Sequence, residues 1–531
     1  MKPKYFLILL SLVAFSCLKQ DDLKLKNLTI NGFAPDWALP ITNTTLTLRN
    51  VVQHANVGNT LTVDSTGLYS IHYDGRLLTA SAADYIKIPD QNFNTNGIPL
   101  SSPISSPSYF LTVSDTFADK FTYTDTTGAQ LNHLNIKSGM LQMQVQSTFQ
   151  QNISAQIVFP SIKKSGNALS INVVLNYPTT SFNQNIDLSG YNIDFTTGTP
   201  AYNNLPYKII YSIVGIGNPI TTTDNISANI NLTNLQFSFA DGYLGHHTIP
   251  ISKDTIAIEI FNNTLNANIF LENPIIKLSV DNSFGLSAVG TFSTFEGITK
   301  NGTINNIGGN FFNNPIVLNG PTAVGTTVVN NYQIDKTNSN VQNVFNPAPN
   351  RVVFQGNIDI GSGTPVYNFI TDTSKLIVNA EAILPAWFKI IDFSLQDTLK
   401  MAFPKDTDIL TKVQFKMLCE NAFGLYASVQ LYFTDSTYKI LDSLIAPPNG
   451  SNIIAEAPVN ANGVVDGSKI QESVFDMDKT RYHKLAPNVR YGLLRGNLKT
   501  SSTISIQIHS KDYLRVQLAA RFLLNIKHLN N

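Results

Sequence analysis

The chain has 531 residues, several times the length of an ordinary single domain, and about three domains are expected from that length alone. Its 36 Lys and Arg balance 36 Asp and Glu, which leaves no long-range field to attract nucleic acid. Only 14% of residues are charged against 43% apolar, and the polar remainder is dominated by Asn, Thr and Ser, which favour strands and turns over long helices.

The first residues read as a targeting segment. Lys2 and Lys4 form a basic start, Tyr5 to Phe15 an apolar run, and Ser16 a small residue beside Cys17. A mostly apolar run of eleven residues is too short for a bilayer core, which takes about 20 in a helix, so residues 1–16 are expected to be a cleaved signal. Ala14-Phe15-Ser16-Cys17 resembles a bacterial lipobox, with Ala14 and Phe15 departing from its commonest residues. That resemblance implies a signal peptide over 1–16 and an acylated Cys17. Leu18-Lys19-Gln20-Asp21-Asp22 is similar to the short tag behind the lipid-bearing Cys of surface-exported Bacteroidota lipoproteins. It implies an export role for Lys19, Gln20, Asp21 and Asp22, an outer-membrane, cell-surface location, and a tether over 17–30. Acyl chains bind by about 0.8 kcal/mol per buried CH₂, so two or three of them hold the protein where it is tethered.

Beyond the tether the expectation is an all-β body of tandem antiparallel β-sandwich-like domains with one short helix near the C-terminus. An N-terminal β region is placed at 31–135. Within it, Leu68 to Tyr73 followed by Asp74-Gly75 and Arg76-Leu77-Leu78 reads as a hairpin with a two-residue turn. Asp90-Gln91-Asn92-Phe93-Asn94 alternates oxygen ligands as a calcium loop does, but Thr95 stands where such a loop takes Gly, and a polar turn is expected.

A β-sandwich-like domain is placed at 136–296, an Asn- and Gly-rich linker or loop at 297–350, and a second sandwich-like domain at 351–531. Across them runs a repeat: Asn282-Ser283-Phe284-Gly285-Leu286-Ser287-Ala288 matches Asn421-Ala422-Phe423-Gly424-Leu425-Tyr426-Ala427, with a fainter copy at Ser147-Thr148-Phe149. The near-equal spacing of the three phenylalanines predicts three related units, each with a strand, a turn whose Phe plugs the core, and a strand. In the two strong copies a Gly is expected to ease the turn. The pattern resembles a hairpin of LEA-type β-sandwich domains, which implies a sandwich fold. Phe239-Ala240-Asp241-Gly242-Tyr243-Leu244-Gly245 and Asp512-Tyr513-Leu514 resemble uncharacterised Bacteroidota lipoproteins, a likeness that implies no activity. The helix is expected near Asp476 to His483, closed by Pro487. Ile504, Ile506 and Ile508 lead through a turn at Ser510-Lys511-Asp512 into a strand from Leu514 to Ile526 with one apolar side.

Chemistry-bearing motifs are scarce. His246 and His247 are adjacent, so in extended chain they face opposite ways and cannot share an ion; no metal site is expected. No nucleophile elbow, phosphate loop or dinucleotide fingerprint occurs, and no enzyme and no cofactor are expected. Cys419 lies in phase with Val413, Phe415 and Met417 as a core thiol. Trp37 and Trp387 are the candidate ligand-binding residues, able to stack on a sugar ring or to wedge a domain junction. Asp254-Thr255-Ile256, Asp397-Thr398-Leu399 and Asp442-Ser443-Leu444 resemble the Asp-Thr/Ser-aliphatic sites at which Bacteroidota attach O-glycans.

Three functions follow as expectations. The first is a non-enzymatic surface lipoprotein with a structural or protein-contact role, its partners the membrane through its lipid and another surface protein. The second is a glycan-capturing lipoprotein, resembling in arrangement the Bacteroidota starch-binding lipoproteins. The third is an envelope lipid carrier, in which the apolar side of the 514–526 strand lines a cavity.

Overall fold

The structure is a computed structural model, and it describes residues 36–49, 60–100, 102, 104, 109–258, 267–361, 365–400, 410–445, 452–500 and 504–524. The signal segment, Cys17 and Lys19, Gln20, Asp21 and Asp22 lie outside the described residues. About 60% of the described residues are β-strand, in antiparallel sheets, with three short helices among them.

The strands fall into an arm and three units. The arm supplies β1 (Asp36–Leu46), β2 (Thr60–Val63), β3 (Tyr69–Ser81), helix α1 (Ala82–Tyr85), β4 (Gln91–Asn94), β5 (Ile98–Pro99) and β6 (Thr112–Thr122). The first unit contains β7 (Gln130–Ser147), β8 (Asn152–Lys164), β9 (Asn167–Leu175), β10 (Ser181–Asp187), β11 (Asn192–Asp194), β12 (Asn204–Val214) and β13 (Asn225–Tyr243). After β14 (His247–Ala257) and β15 (Ala267–Leu271) comes the second unit. It contains β16 (Ile275–Asn282), β17 (Ala288–Ile298), β18 (Ile304–Asn306), β19 (Ile316–Leu318), β20 (Val328–Ile334), α2 (Val341–Val344), β21 (Arg351–Ile360), β22 (Asn368–Thr371) and β23 (Lys375–Pro385). Strand β24 (Trp387–Lys400) leads to the third: β25 (Leu410–Asn421), β26 (Tyr426–Thr434), β27 (Ile440–Ser443), β28 (Asn452–Ile454), β29 (Lys469–Asp478), α3 (Lys479–Leu485), β30 (Tyr491–Lys499), β31 (Ile506–Gln507) and β32 (Leu514–Leu524).

The three units share one wiring. In each, the first strand pairs with the last: β7 with β13, β16 with β23, β25 with β32. The second strand pairs with a later long strand, β8 with β12, β17 with β21, β26 with β30. A middle strand returns to the first: β10, β20 and β29. The outer edges are completed from elsewhere in the chain. Strands β6, β14 and β24 flank β12, β21 and β30. The arm then flanks the last strands in reverse order, β1 on β32, β3 on β23, and β4 with β5 on β13. The region expected as an N-terminal domain at 31–135 therefore distributes its strands over all three units. The expected boundaries at 135/136 and 296/297 fall inside β7 and β17.

The corner between first and second strands shows why the sequence repeats. Asn282 Oδ1 accepts the Phe284 N–H at 2.9 Å, and its Nδ2 donates to the Leu286 carbonyl at 2.9 Å. Asn421 makes the same pair of bonds to Phe423 and Leu425, both at 2.9 Å. In the faint copy the Ser147 hydroxyl accepts the Phe149 N–H at 3.1 Å. Both Asn side chains are buried, and a buried amide is tolerated because it closes the turn on both sides. Phe149 and Phe284 are fully buried plugs and Phe423 is half-buried. Neither Gly285 nor Gly424 has positive φ, so the glycines do not ease the turn as expected. They make room instead: a Cβ on Gly285 would lie 2.6 Å from the Phe369 carbonyl oxygen, and one on Gly424 2.7 Å from Val459 Cγ1.

Three local expectations are corrected. Asp74-Gly75 is not a hairpin turn but the middle of β3, paired with Glu381 and Ala380. Its glycine accommodates β14, since a Cβ there would sit 2.9 Å from Ile256 Cγ1. Asp90 to Asn94 is not a polar turn: Gln91–Asn94 is β4, with Phe93 buried and stacked on Phe121 at 4.7 Å. The Asn- and Gly-rich stretch 297–350 holds β18, β19, β20 and α2 rather than a free linker, and β20 pairs with β16 along its length. Its Asn side chains supply turn bonds, as when Asn340 Oδ1 accepts the Gly308 N–H at 2.8 Å. Helix α3 begins after an Asp478 cap whose carboxylate accepts the Arg481 N–H at 2.8 Å, three residues later than the expected start.

One hydrophobic core runs through the first and second units and reaches Leu425, Ile506 and Ile508. The third unit has separate clusters, one around Val413, Phe433, Met477 and Tyr482 and a small one at Cys419, Ala427 and Ile454.

Candidate ligand-contact groove

The second unit carries a groove of about 740 Å³ on the outer side of one sheet, within the size range of small-molecule sites. Four strands build it, in the order β3, β23, β16, β20. Register lines up two rows across them. Asp74 faces Glu381, which faces Lys277, which faces Gln333; Arg76 faces Asn379, which faces Ser279, which faces Asn331. The period of two that turns these side chains outward turns Tyr73, Leu278, Val280, Val378 and Ala380 into the core. Just beyond the second row the β3–β23 register shifts between Asn379 and Val378, so that Leu77 is an extra residue, and such a bulge increases the local twist of the face.

At the β3 end lies a chain of three side chains. His72 Nδ1 is 2.5 Å from Glu381 Oε1, and His72 Nε2 is 2.8 Å from the Thr62 hydroxyl on β2. Hydroxyl, imidazole and carboxylate stand in the order used for acyl transfer, but that chemistry also needs N–H donors preorganised around an oxyanion. With Thr62 exposed on the edge strand, the trio ties β2 to β3 and β23 and fixes the Glu381 carboxylate at the groove wall. Two acids, Asp74 and Glu381, balance two bases, Arg76 and Lys277, and Asn331, Gln333, Asn379 and Ser279 add amides and a hydroxyl. Such a floor offers donors and acceptors without net field, which suits a neutral or zwitterionic polar partner.

The void lined by Ile251, Leu278, Val280, Phe292, Tyr332 and Ile358 is about 20 Å³, which cannot hold an acyl chain.

The residues singled out from sequence lie elsewhere. Trp37 is placed as a backbone position in β1 opposite Phe522. Trp387 opens β24 half-buried, with the Lys336 ammonium 5.7 Å from its ring centre. Lys336 is 3.7 Å from Glu272, which also accepts from Gln342 at 3.4 Å and from Ser505 at 3.1 Å. The ring thus sits among strands of the second and third units. His246 is 3.7 Å from Asp359, while His247 Nε2 lies 2.9 Å from the Leu244 carbonyl. Among the described residues no three His, Cys, Asp or Glu gather as metal ligands. Cys419 is buried in β25, and burial pushes its thiol up to about 11. Of the three glycan-acceptor triplets, Thr255 and Thr398 are exposed, whereas Ser443 is buried and donates to the Ile445 carbonyl at 2.8 Å. Among the described residues no helix is long and apolar enough to cross a membrane.

Sequence reading missed the groove because its rows come from four segments up to about 300 residues apart, joined only by topology. The local signal, alternation in Lys277 to Val280 and Asn379 to Ala382, marks an outer face but not its neighbours.

No family model and no curated protein matches the sequence. Among solved structures the chain is similar to a protein of Parabacteroides distasonis described as secreted, at 10% identity over 92% of this chain and 99% of that one, with a TM-score of 0.32. It is also similar to the infectious bursal disease virus Gx strain, at 10% identity over 81% of this chain and 84% of that one, with a TM-score of 0.15. The VP2 subviral particle of the same virus gives the same identity, coverage and score.

Proposed function

We propose that this chain is an exported lipoprotein, anchored in the outer membrane through an acylated Cys17, whose three-unit β body is a non-enzymatic contact scaffold at the cell surface. The observation that carries the anchor is the run of Lys2, Lys4, the apolar Tyr5 to Phe15 segment, Ser16-Cys17 and the Lys19-Gln20-Asp21-Asp22 tag. The open, charge-balanced groove from Asp74 to Gln333 supports a contact role. The partner is another surface protein presenting a polar segment. Growth with an alkyne-bearing fatty acid tests the anchor. Label is expected on the wild type and absent from Cys17→Ala; unlabelled wild type would refute it.

A second reading, glycan capture, is favoured by the row Arg76, Asn379, Ser279 and Asn331, groups that hydrogen-bond sugar hydroxyls. In native gels cast with polysaccharide it predicts retardation that Asn379→Ala weakens. Equal mobility with and without polysaccharide would reject it.

A further inference from the structure

The paired ends of β6 and β12 project a small apolar tip. Thr112 pairs with Val214, and just beyond them Phe110 N–H donates to the Gly215 carbonyl at 2.9 Å and Gly215 N–H to the Leu111 carbonyl at 2.8 Å. These bonds hold Phe110 at φ 66°, a conformation bulky side chains seldom adopt. The backbone is thus fixed where the ring points away from the protein: Phe110 is 84% exposed and Tyr109 70%, and Leu111 is exposed beside them. Tyr177 is brought to the same end, because its N–H donates to Asn152 Oδ1 at 3.0 Å and Asn152 pairs with Val214. It too is exposed.

The surrounding loops, 148–151, 176–180 and 215–224, contain one charged residue, Asp224. Several of their polar groups are turned inward. Gln151 Oε1 accepts the Ile216 N–H at 2.7 Å, and its amide donates to the Asn218 carbonyl. Asn218 donates to the Gln150 carbonyl at 2.8 Å, and Asp224 accepts from the Thr221 N–H and hydroxyl. The Gln151 and Asn218 amides are thus spent on the loops' own backbone rather than aimed outward beside the rings. Here apolar side chains protrude from a collar with a single charge, Asp224, and with several of its hydrogen bonds already made, which lowers the cost of entry into a medium with little water.

The geometry points to insertion of this tip into the interface of a lipid bilayer. Phe110 and Leu111 enter the acyl region, and Tyr109 and Tyr177 sit at headgroup level, where amphipathic rings are favoured. With Asp224 its one charge and no cation on it, the collar needs no anionic lipid, and the binding depends little on salt. This inference stands apart from acylation at Cys17.

The full mature chain carrying Cys17→Ala, and so no acyl group, is floated with phosphatidylethanolamine and phosphatidylcholine vesicles. It is expected to rise with them equally from about 0.1 to about 1 M NaCl. Phe110→Ser with Leu111→Ser is expected to lower the bound fraction roughly tenfold or more at unchanged melting temperature. Val324→Ser, an exposed apolar side chain in the second unit, is expected to change nothing. Failure of the wild type to float, or equal flotation of the double variant, overturns the inference. So does retention on insoluble polysaccharide, lost in the double variant, with no vesicle binding, which would assign the rings to sugar stacking.

Discussion

At the residue scale, the corner asparagines do the work of several backbone bonds at once. Asn282→Ala or Asn421→Ala strands a buried N–H and a buried carbonyl and is expected to cost about 1–3 kcal/mol, read by urea denaturation. Phe284→Ala empties a sealed plug and is expected to cost about 3–5 kcal/mol. A near-neutral result at both Asn positions would mean that the shared corner is incidental. The Asn-x-Phe pattern was legible because both halves of the motif are side chains; the Ser147 copy is faint because a hydroxyl keeps only one of the two bonds. A second device went unread. Among the described residues, Asp64, Asp125, Asp187, Asp194, Asp335 and Asp435 each accept both the N–H and the hydroxyl of the Thr or Ser two residues on. The hydroxyls of Thr66, Thr337 and Thr437 hold Asp64, Asp335 and Asp435 below the usual carboxylate range. A carboxyl lowered in the folded state adds stability above its unfolded value near pH ~3.9, and that share is lost as pH falls through the lowered folded value. The melting temperature is therefore expected to be flat from neutrality to about pH 5 and to fall below about pH 4. Replacing all three threonines by Val should lower it at neutral pH and flatten the acid slope; an unchanged slope would refute the assignment.

At the element scale, local pattern revealed strands and hid their partners. Alternation of apolar and polar residues identified the strand at Leu514, observed over Leu514–Leu524, but not that Asp36–Leu46 pairs along it from the other end of the chain. Asp74-Gly75 misled for the same reason, since a glycine required by contact with Ile256 looks, in sequence, like a glycine required by a turn. The α3 region was legible within a few residues, because Asp478 caps and Pro487 follows the end. Strand β1 is the outer strand of its sheet and covers an edge of β32. A chain lacking residues 36–46 is expected to lose hydrogen-exchange protection in β32 and β25 while β7 and β13 keep theirs. Loss of protection in all four, or in none, would contradict the separation of the third unit.

At the scale of the whole molecule, three equivalent units are strung in sequence order while the arm visits them in reverse, so each sheet joins residues distant in the chain. Length alone led to the expectation of about three domains; it could not foretell that the described strands of the N-terminal region join the sheets of all three units. The groove depends on that wiring, for its β3 wall comes from the arm and its remaining walls from the second unit. Placing such a body on a tether concentrates its contacts at one surface, which is the core of the proposed function. Protease shaving of intact cells tests this most directly, comparing wild type with Cys17→Ala and with Lys19, Gln20, Asp21 and Asp22 replaced by alanine. The expected result is digestion of the wild type on the cell, release of the first variant and protection of the second. A wild type that resists digestion in intact cells and yields only after lysis would contradict surface display.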